Sequence, residues 1–247
     1  MLGLPDSIHA CLFDLDGVLT QTAREHAAAW KQMFDAYLTE RAQRTGAVFV
    51  PFDPIADYDA YIDGRLRADG TRSFLESRGI HLPEGTPEDA ADLETINGLS
   101  NRKNAILLER LRTGGVQVYS GSVRYLDACK QAGLRRAVVS ASANTRQVLE
   151  SANLTEYFDT VVDGVVAQRD HLRGKPAADT YLAAARALQI APAQAAVFED
   201  ALAGVEAGHA GKFGFVVGVD RVGQRDALRQ HGADVVVDDL AELIDRA

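Results

Sequence analysis

The chain has 247 residues, with 26 Lys and Arg against 35 Asp and Glu and a formal net charge of −9. That balance excludes a general nucleic-acid binder, which needs a basic face, while a local basic pocket for an anionic small molecule stays open. The length accommodates one or two domains with a full hydrophobic core. The two cysteines show no metal-ligand spacing, which argues against a disulfide framework or a zinc site.

The first residues, MLGLPD, lack a basic stretch followed by a long apolar run. No secretory leader and no membrane span are expected, and a cytoplasmic protein is. Residues 9–14 (HACLFD) form a short continuous apolar run that predicts a buried strand. Residues 21–119 then read as mostly helical, with helical patterns at 25–38, 71–77 and 101–111 and breaks at 51–59 and 81–92. Further strands are expected at 137–140, 160–162, 195–198, 213–219 and 233–237. Between them, helices are expected at 123–132 (stopped by Gly133), 144–152, 176–188 and 201–210. Strand alternating with helix is the signature of a parallel sheet covered on both faces, so the fold class is α/β. The helical stretch after the first strand reads as an inserted second domain.

The chemistry concentrates where these strands end. Asp14-Leu15-Asp16-Gly17 places two carboxylates two residues apart, and strand alternation would put them on one side. Such a pair needs a compensating cation, and a divalent metal with oxygen ligands would serve. A solvated Asp-rich turn is the plainer reading. Glu199-Asp200 ends another strand ahead of a helix, where Asp200 could instead be a helix cap. Ser140 ends a third strand ahead of a helix whose amides could hold an anion, or is itself a cap. Lys175-Pro176 precedes a helix, with Pro176 in its first turn, and Lys175 alone would be a surface lysine. In open α/β sheets, ligands sit beyond the carboxyl ends of the strands, where all these residues would converge.

This set, Asp14-x-Asp16-Gly-Val-Leu-Thr, Ser140, Lys175-Pro176 and Glu199-Asp200, resembles the haloacid dehalogenase superfamily, and the placement of the insertion resembles its subclass one. Finer detail is similar to the β-phosphoglucomutase family. The matching segments are Thr22-Ala-Arg-Glu-His26 with Trp30-Lys31, Asp63-Gly-Arg-Leu-Arg67, Asn101-Arg-Lys103-Asn104 and Ser140-Ala141-Ser142-x-Asn144. The resemblance departs at Ala143, where the family often has lysine, and in an enlarged segment over 39–61.

The resemblance implies a doubly wound, Rossmann-like core of residues 1–21 and 113–247 and a helical cap of residues 22–112. It implies a magnesium-dependent phosphotransferase that interconverts β-glucose 1-phosphate and glucose 6-phosphate through the 1,6-bisphosphate. Asp14 would be the nucleophile and Asp16 the general acid and base. Lys175 and Ser140 would stabilise charge. Thr22 and His26 would lie at the cap hinge. One Mg2+ would be held by Asp14, the Asp16 main-chain carbonyl and Asp200, with Glu199 beside it. Substrate contacts would come from Ser140, Ala141, Ser142, Asn144, Arg67, Lys103 and Trp30, although Trp30 also reads as cap packing and Arg67 as a solvated arginine. Arg146 could compensate for Ala143. The partner is a small sugar phosphate, with no nucleic acid or membrane, and a monomer is expected. The alternatives are a sugar-phosphate phosphatase with the same nucleophile, a non-catalytic binding protein that kept the fold, and a haloacid dehalogenase. The last has no use for Asp16 and the Glu199-Asp200 pair.

Overall fold

The computed structural model describes residues 2–244. In chain order its elements are β1 (Ala10–Phe13), α1 (Ala23–Thr45), α2 (Ala56–Tyr61), α3 (Arg67–Ser77), α4 (Ile96–Gly114), α5 (Ser120–Gln131), β2 (Arg135–Val139), α6 (Thr145–Ser151), β3 (Thr160–Val162), α7 (Gly164–Arg169), α8 (Asp179–Ala187), β4 (Ala195–Glu199), α9 (Leu202–Ala210), β5 (Phe215–Val219), α10 (Arg225–Gln230), β6 (Val235–Val237) and α11 (Ala241–Ile244). They fall into two compact units, Met1–Gln21 with Gly64–Leu66 and Val116–Ala247, and Thr22–Asp63 with Arg67–Gly115.

The first unit is a six-stranded parallel sheet in the order β3-β2-β1-β4-β5-β6. β1 is central, and all four of its side chains are fully buried, which is why the sequence there is a continuous apolar run rather than an alternating one. The chain moves from β1 towards β3 on one side and from β4 towards β6 on the other, so the strand order reverses between β1 and β4. Phe13 pairs in register with Val138 and Phe198, and its ring stacks on Phe198 with centroids 4.4 Å apart. That register brings the C-terminal ends of β2, β1 and β4 side by side at the ~4.8 Å spacing of adjacent strands. Cys11 and Cys129 are buried free thiols with sulfurs 3.9 Å apart.

The second unit is helical. Trp30, Met33, Phe34, Tyr37, Phe52, Phe74 and Leu99 form its core, with Phe34 and Phe74 ring centroids 4.2 Å apart. Among the described residues no helix is long and apolar enough to cross a membrane.

Several local expectations are corrected. Part of the break at 51–59 is the start of α2, nucleated by Asp53, whose Oδ1 accepts the N–H groups of Ile55 and Ala56 at 2.8 and 2.9 Å. The helix expected from 176 starts at Asp179, because Ala177 N–H closes a turn on the Gly174 carbonyl at 3.0 Å; Pro176 therefore lies outside the helix. The helices α2, α7, α10 and α11, of four to six residues, carry no local signal strong enough to announce them.

Candidate active site

β1 ends at Phe13, and the ladder runs one residue further, with Asp14 N–H donating to the Phe198 carbonyl at 2.9 Å. Asp16 lies beyond the strand, in an isolated bridge with Thr20. Strand alternation is therefore not what relates the two carboxylates, which corrects that argument from spacing. Gly17 turns the chain at φ +86°, and its N–H bonds the Thr20 carbonyl at 2.8 Å. A Cβ at position 17 would lie 1.7 Å from Asp200 Oδ2, so this glycine is required both by its backbone conformation and by the carboxylate seated against it. The carbonyls of Leu15, Val18 and Leu19 accept from Thr20, Ser122 and Tyr119 respectively, so the turn is fastened through its backbone.

β4 delivers Glu199 and, just past its end, Asp200. Oxygens of Asp14, Glu199 and Asp200 lie within 4.8 Å of one another. The residue at the N-terminal boundary of α9 is Ala201, so Asp200 stands one position before the cap. Lys175 reaches the cluster from the turn before α8. Its Nζ donates to Asp14 Oδ1 at 2.5 Å and to the Val139 carbonyl at 3.4 Å, and it pairs with Glu199 Oε1. Lys175 is thus a buried cation, not a surface lysine.

Glu199 is fully buried and surrounded by donors: Lys175, the Tyr181 hydroxyl at 2.7 Å and the Ala201 N–H at 3.3 Å. With its oxygens so engaged, it acts as counter-charge to Lys175 more than as a free ligand. Its carboxylate lies where a Cβ of residue 204 would be, 2.0 Å away, which explains the glycine inside α9. The partner Tyr181 reads in the sequence only as an apolar helix position. Gly204 leaves a faint signal as a glycine in a helical pattern.

Charge sets the character of the cluster. Burial pushes the Asp14 carboxyl well above the usual carboxylate range; Lys175 pulls it down, and Glu199 and Asp16 push it further up. Burial alone would lower the Lys175 ammonium, but Asp14 and Glu199 outweigh it and hold it above its ordinary value. Several carboxylates thus share one lysine in a desolvated place. A divalent cation with oxygen ligands suits such a donor set, and Asp14 with Asp200 could hold it.

Ser140 follows β2, with its N–H on the Val162 carbonyl at 3.0 Å. It does not cap a helix: its Oγ accepts from Ser142 N–H at 3.1 Å, and α6 starts only at Thr145. Ser142 Oγ in turn accepts from Asn144 N–H at 3.2 Å, so residues 140–144 form a wound loop over the end of β2 that also contains Ala141. Arg146 is largely exposed, and its Nε donates to Asp163 at 3.1 Å.

In the helical unit, Thr22 is buried and its carbonyl accepts from His26 N–H at 3.0 Å. His26 Nδ1 is 3.2 Å from Lys103 Nζ, and that ammonium lies 4.9 Å from the centroid of the Trp30 ring. Lys103 and Trp30 are both buried, and Trp30 stacks on Phe34 at 5.2 Å, so Trp30 packs the helical core. Arg67 is different. Its guanidinium is half-buried, and burial alone lowers its basicity, with no carboxylate to offset the effect. An under-compensated guanidinium of this kind suits an anionic group from a ligand.

A family model described as haloacid dehalogenase-like hydrolase matches residues 8–212. A β-phosphoglucomutase of Mycobacterium bovis is 58% identical over 247 residues, covering 99% of this chain and 94% of its own. A β-phosphoglucomutase of Bacillus subtilis is 30% identical over 234 residues, covering 95% and 91%. Among solved structures, β-phosphoglucomutase from Clostridium difficile has the same fold, with a TM-score of 0.74 at 24% identity over 96% of this chain and 93% of its own.

Proposed function

Because the chain belongs to the haloacid dehalogenase-like hydrolase family, we propose that its carboxylate cluster transfers phosphoryl groups, and that the reaction is the interconversion of β-glucose 1-phosphate and glucose 6-phosphate. The carrying observation is that the 58% identity to proteins named β-phosphoglucomutase runs through both units, including the one that would contact the sugar. The alternative, transfer of the same phosphoryl group to water, has less support.

Asp14 attacks the 1-phosphate of the 1,6-bisphosphate and forms an aspartyl phosphate, breaking the phosphorus bond to the sugar O1 and releasing glucose 6-phosphate. Asp16 donates its proton to that leaving oxygen. In the second half Asp16 takes the proton from the 6-hydroxyl of β-glucose 1-phosphate, whose oxygen attacks the aspartyl phosphate, frees the Asp14 carboxylate and regenerates the 1,6-bisphosphate. Lys175 holds Asp14 through Oδ1 and, with the Ser140 hydroxyl, offsets charge on the transferring phosphoryl oxygens. Glu199 and Tyr181 keep the Lys175 ammonium in place. Asp14, Asp200 and the Asp16 main-chain carbonyl would hold a magnesium ion, which would supply neutralisation of the phosphoryl charge. The helical unit serves as a cap that keeps water from the aspartyl phosphate, with Arg67 taking the phosphate not in transfer and Thr22 and His26 at the hinge. A cytoplasmic monomer is part of this reading: a sugar phosphate does not cross a membrane unaided, and a single chain supplies every residue named.

Phosphorus NMR of the protein with β-glucose 1-phosphate, a trace of the 1,6-bisphosphate and Mg2+ tests the reading. Glucose 6-phosphate should accumulate, and chelation of the metal should stop it. Inorganic phosphate as the sole product would make the protein a phosphatase.

A further inference from the structure

The loop after β5 carries two side chains that act on the backbone of the acidic cluster. Asp220 Oδ1 organises this loop by accepting the N–H groups of Val222, Gly223 and Gln224 at 3.3, 2.7 and 2.9 Å. Arg221 then donates from Nε to the Gly17 carbonyl and from Nη1 to the Asp238 carbonyl, both at 2.7 Å. Its guanidinium lies 3.5 Å from the centroid of the Tyr119 ring. Tyr119 is itself tied to the catalytic turn, through its N–H to the Leu19 carbonyl at 3.0 Å. Gln224 Nε2 donates to the Asp200 carbonyl at 3.0 Å.

Gly17 and Asp200 touch, since the Asp200 carboxylate occupies the place of a Cβ on Gly17. One loop therefore holds the two backbone segments whose spacing fixes the distance between Asp14 and Asp200. These contacts come at a cost, because the Arg221 Nη2 is buried without a hydrogen-bond partner. An arginine that leaves a donor unsatisfied while gripping the turn beside the nucleophile is better explained by what it positions.

We propose that Arg221 and Gln224 are positioning residues that set the separation of the Asp14–Gly17 turn from Asp200, and through it the affinity of the carboxylate site for Mg2+. This rests on the phosphotransferase reading above. Groups that orient metal ligands from behind typically change metal affinity by about tenfold or more when removed.

The test uses the full chain with Arg221→Ala, Arg221→Lys and Gln224→Met, titrated calorimetrically with Mg2+ in the absence of substrate, alongside kcat, KM and the thermal midpoint. Arg221→Ala should weaken Mg2+ binding about tenfold and lower kcat with little change in KM. Gln224→Met should show the same pattern with a smaller amplitude, and Arg221→Lys should recover part of the loss by donating to Gly17. Should Arg221→Ala prove too unstable to titrate, Gln224→Met carries the decision. Wild-type Mg2+ affinity in the folded variants, with or without a lower thermal midpoint, would overturn the proposal. Asp14→Asn separates the two claims. If it turns over sugar phosphate like the wild type, the functional reading fails, while the Mg2+ titrations still judge the loop.

Discussion

Replacing Gly204 by alanine puts a methyl group 2.0 Å from the Glu199 carboxylate, far inside contact distance. In an exposed helix interior the same change would stabilise by about 1 kcal/mol. Here the carboxylate must move, and its position is fixed by Lys175, by the Tyr181 hydroxyl at 2.7 Å and by the Ala201 N–H at 3.3 Å. Breaking a buried ion pair costs roughly 3–5 kcal/mol. After subtracting the helix gain, Gly204→Ala should destabilise by about 2–4 kcal/mol. Gly114, the last residue of α4, is the internal control, because an added Cβ there would meet nothing within 4 Å. Gly114→Ala should be neutral or stabilising by up to about 1 kcal/mol. Urea denaturation of both variants reads the two signs directly, and turnover of Gly204→Ala should fall as the Lys175 ammonium loses its counter-charge. A Gly204→Ala protein as stable and as active as the wild type would refute the idea that Glu199 is locked behind the site.

Asp200→Asn should weaken Mg2+ binding at least about tenfold in a calorimetric titration, while the thermal midpoint holds or rises as repulsion among the carboxylates is relieved. Tyr181→Phe removes one donor from buried Glu199 and should cost about 1.5–3 kcal/mol in urea denaturation, the range for a hydrogen bond to a charged group. Arg67→Ala should raise KM for sugar phosphate without changing Mg2+ affinity, and Arg67→Lys should restore only part of the loss because a point charge lacks the paired donors of a guanidinium. Steady-state kinetics beside a metal titration checks both Arg67 variants.

The sheet was legible because β1 and β4 are buried along their whole length and the other strands at their C-terminal ends, so each writes itself as a short apolar run. The strand at Thr160–Val162 was readable to the residue, and the run at 137–140 begins two residues earlier only because Arg135 and Arg136 extend the strand with charged side chains. Residue types at the strand ends were equally local: Asp14 after β1, Ser140 after β2 and Glu199-Asp200 at the end of β4 stand where apolar runs stop. The short helices were not legible, since α2, α7, α10 and α11 draw their stability from contacts rather than from their own few residues. In the helical unit, Trp30 and Lys103 read as candidate substrate contacts, yet both are buried against each other and their neighbours, which periodicity alone does not distinguish from a site.

From the chain alone came a parallel α/β sheet, its interruption by a helical insertion, and a row of charged residues at strand ends, because hydrophobic runs and their termini are properties of neighbours in sequence. Which charges neutralise which was decided only on folding. Lys175 meets Asp14 across 161 positions, Glu199 at the end of a strand is claimed by Tyr181 from a helix, and Arg221 grips a carbonyl 204 residues away. Partners of buried charges come from distant segments, and a backbone carbonyl looks alike at every residue, so no local pattern could have named them.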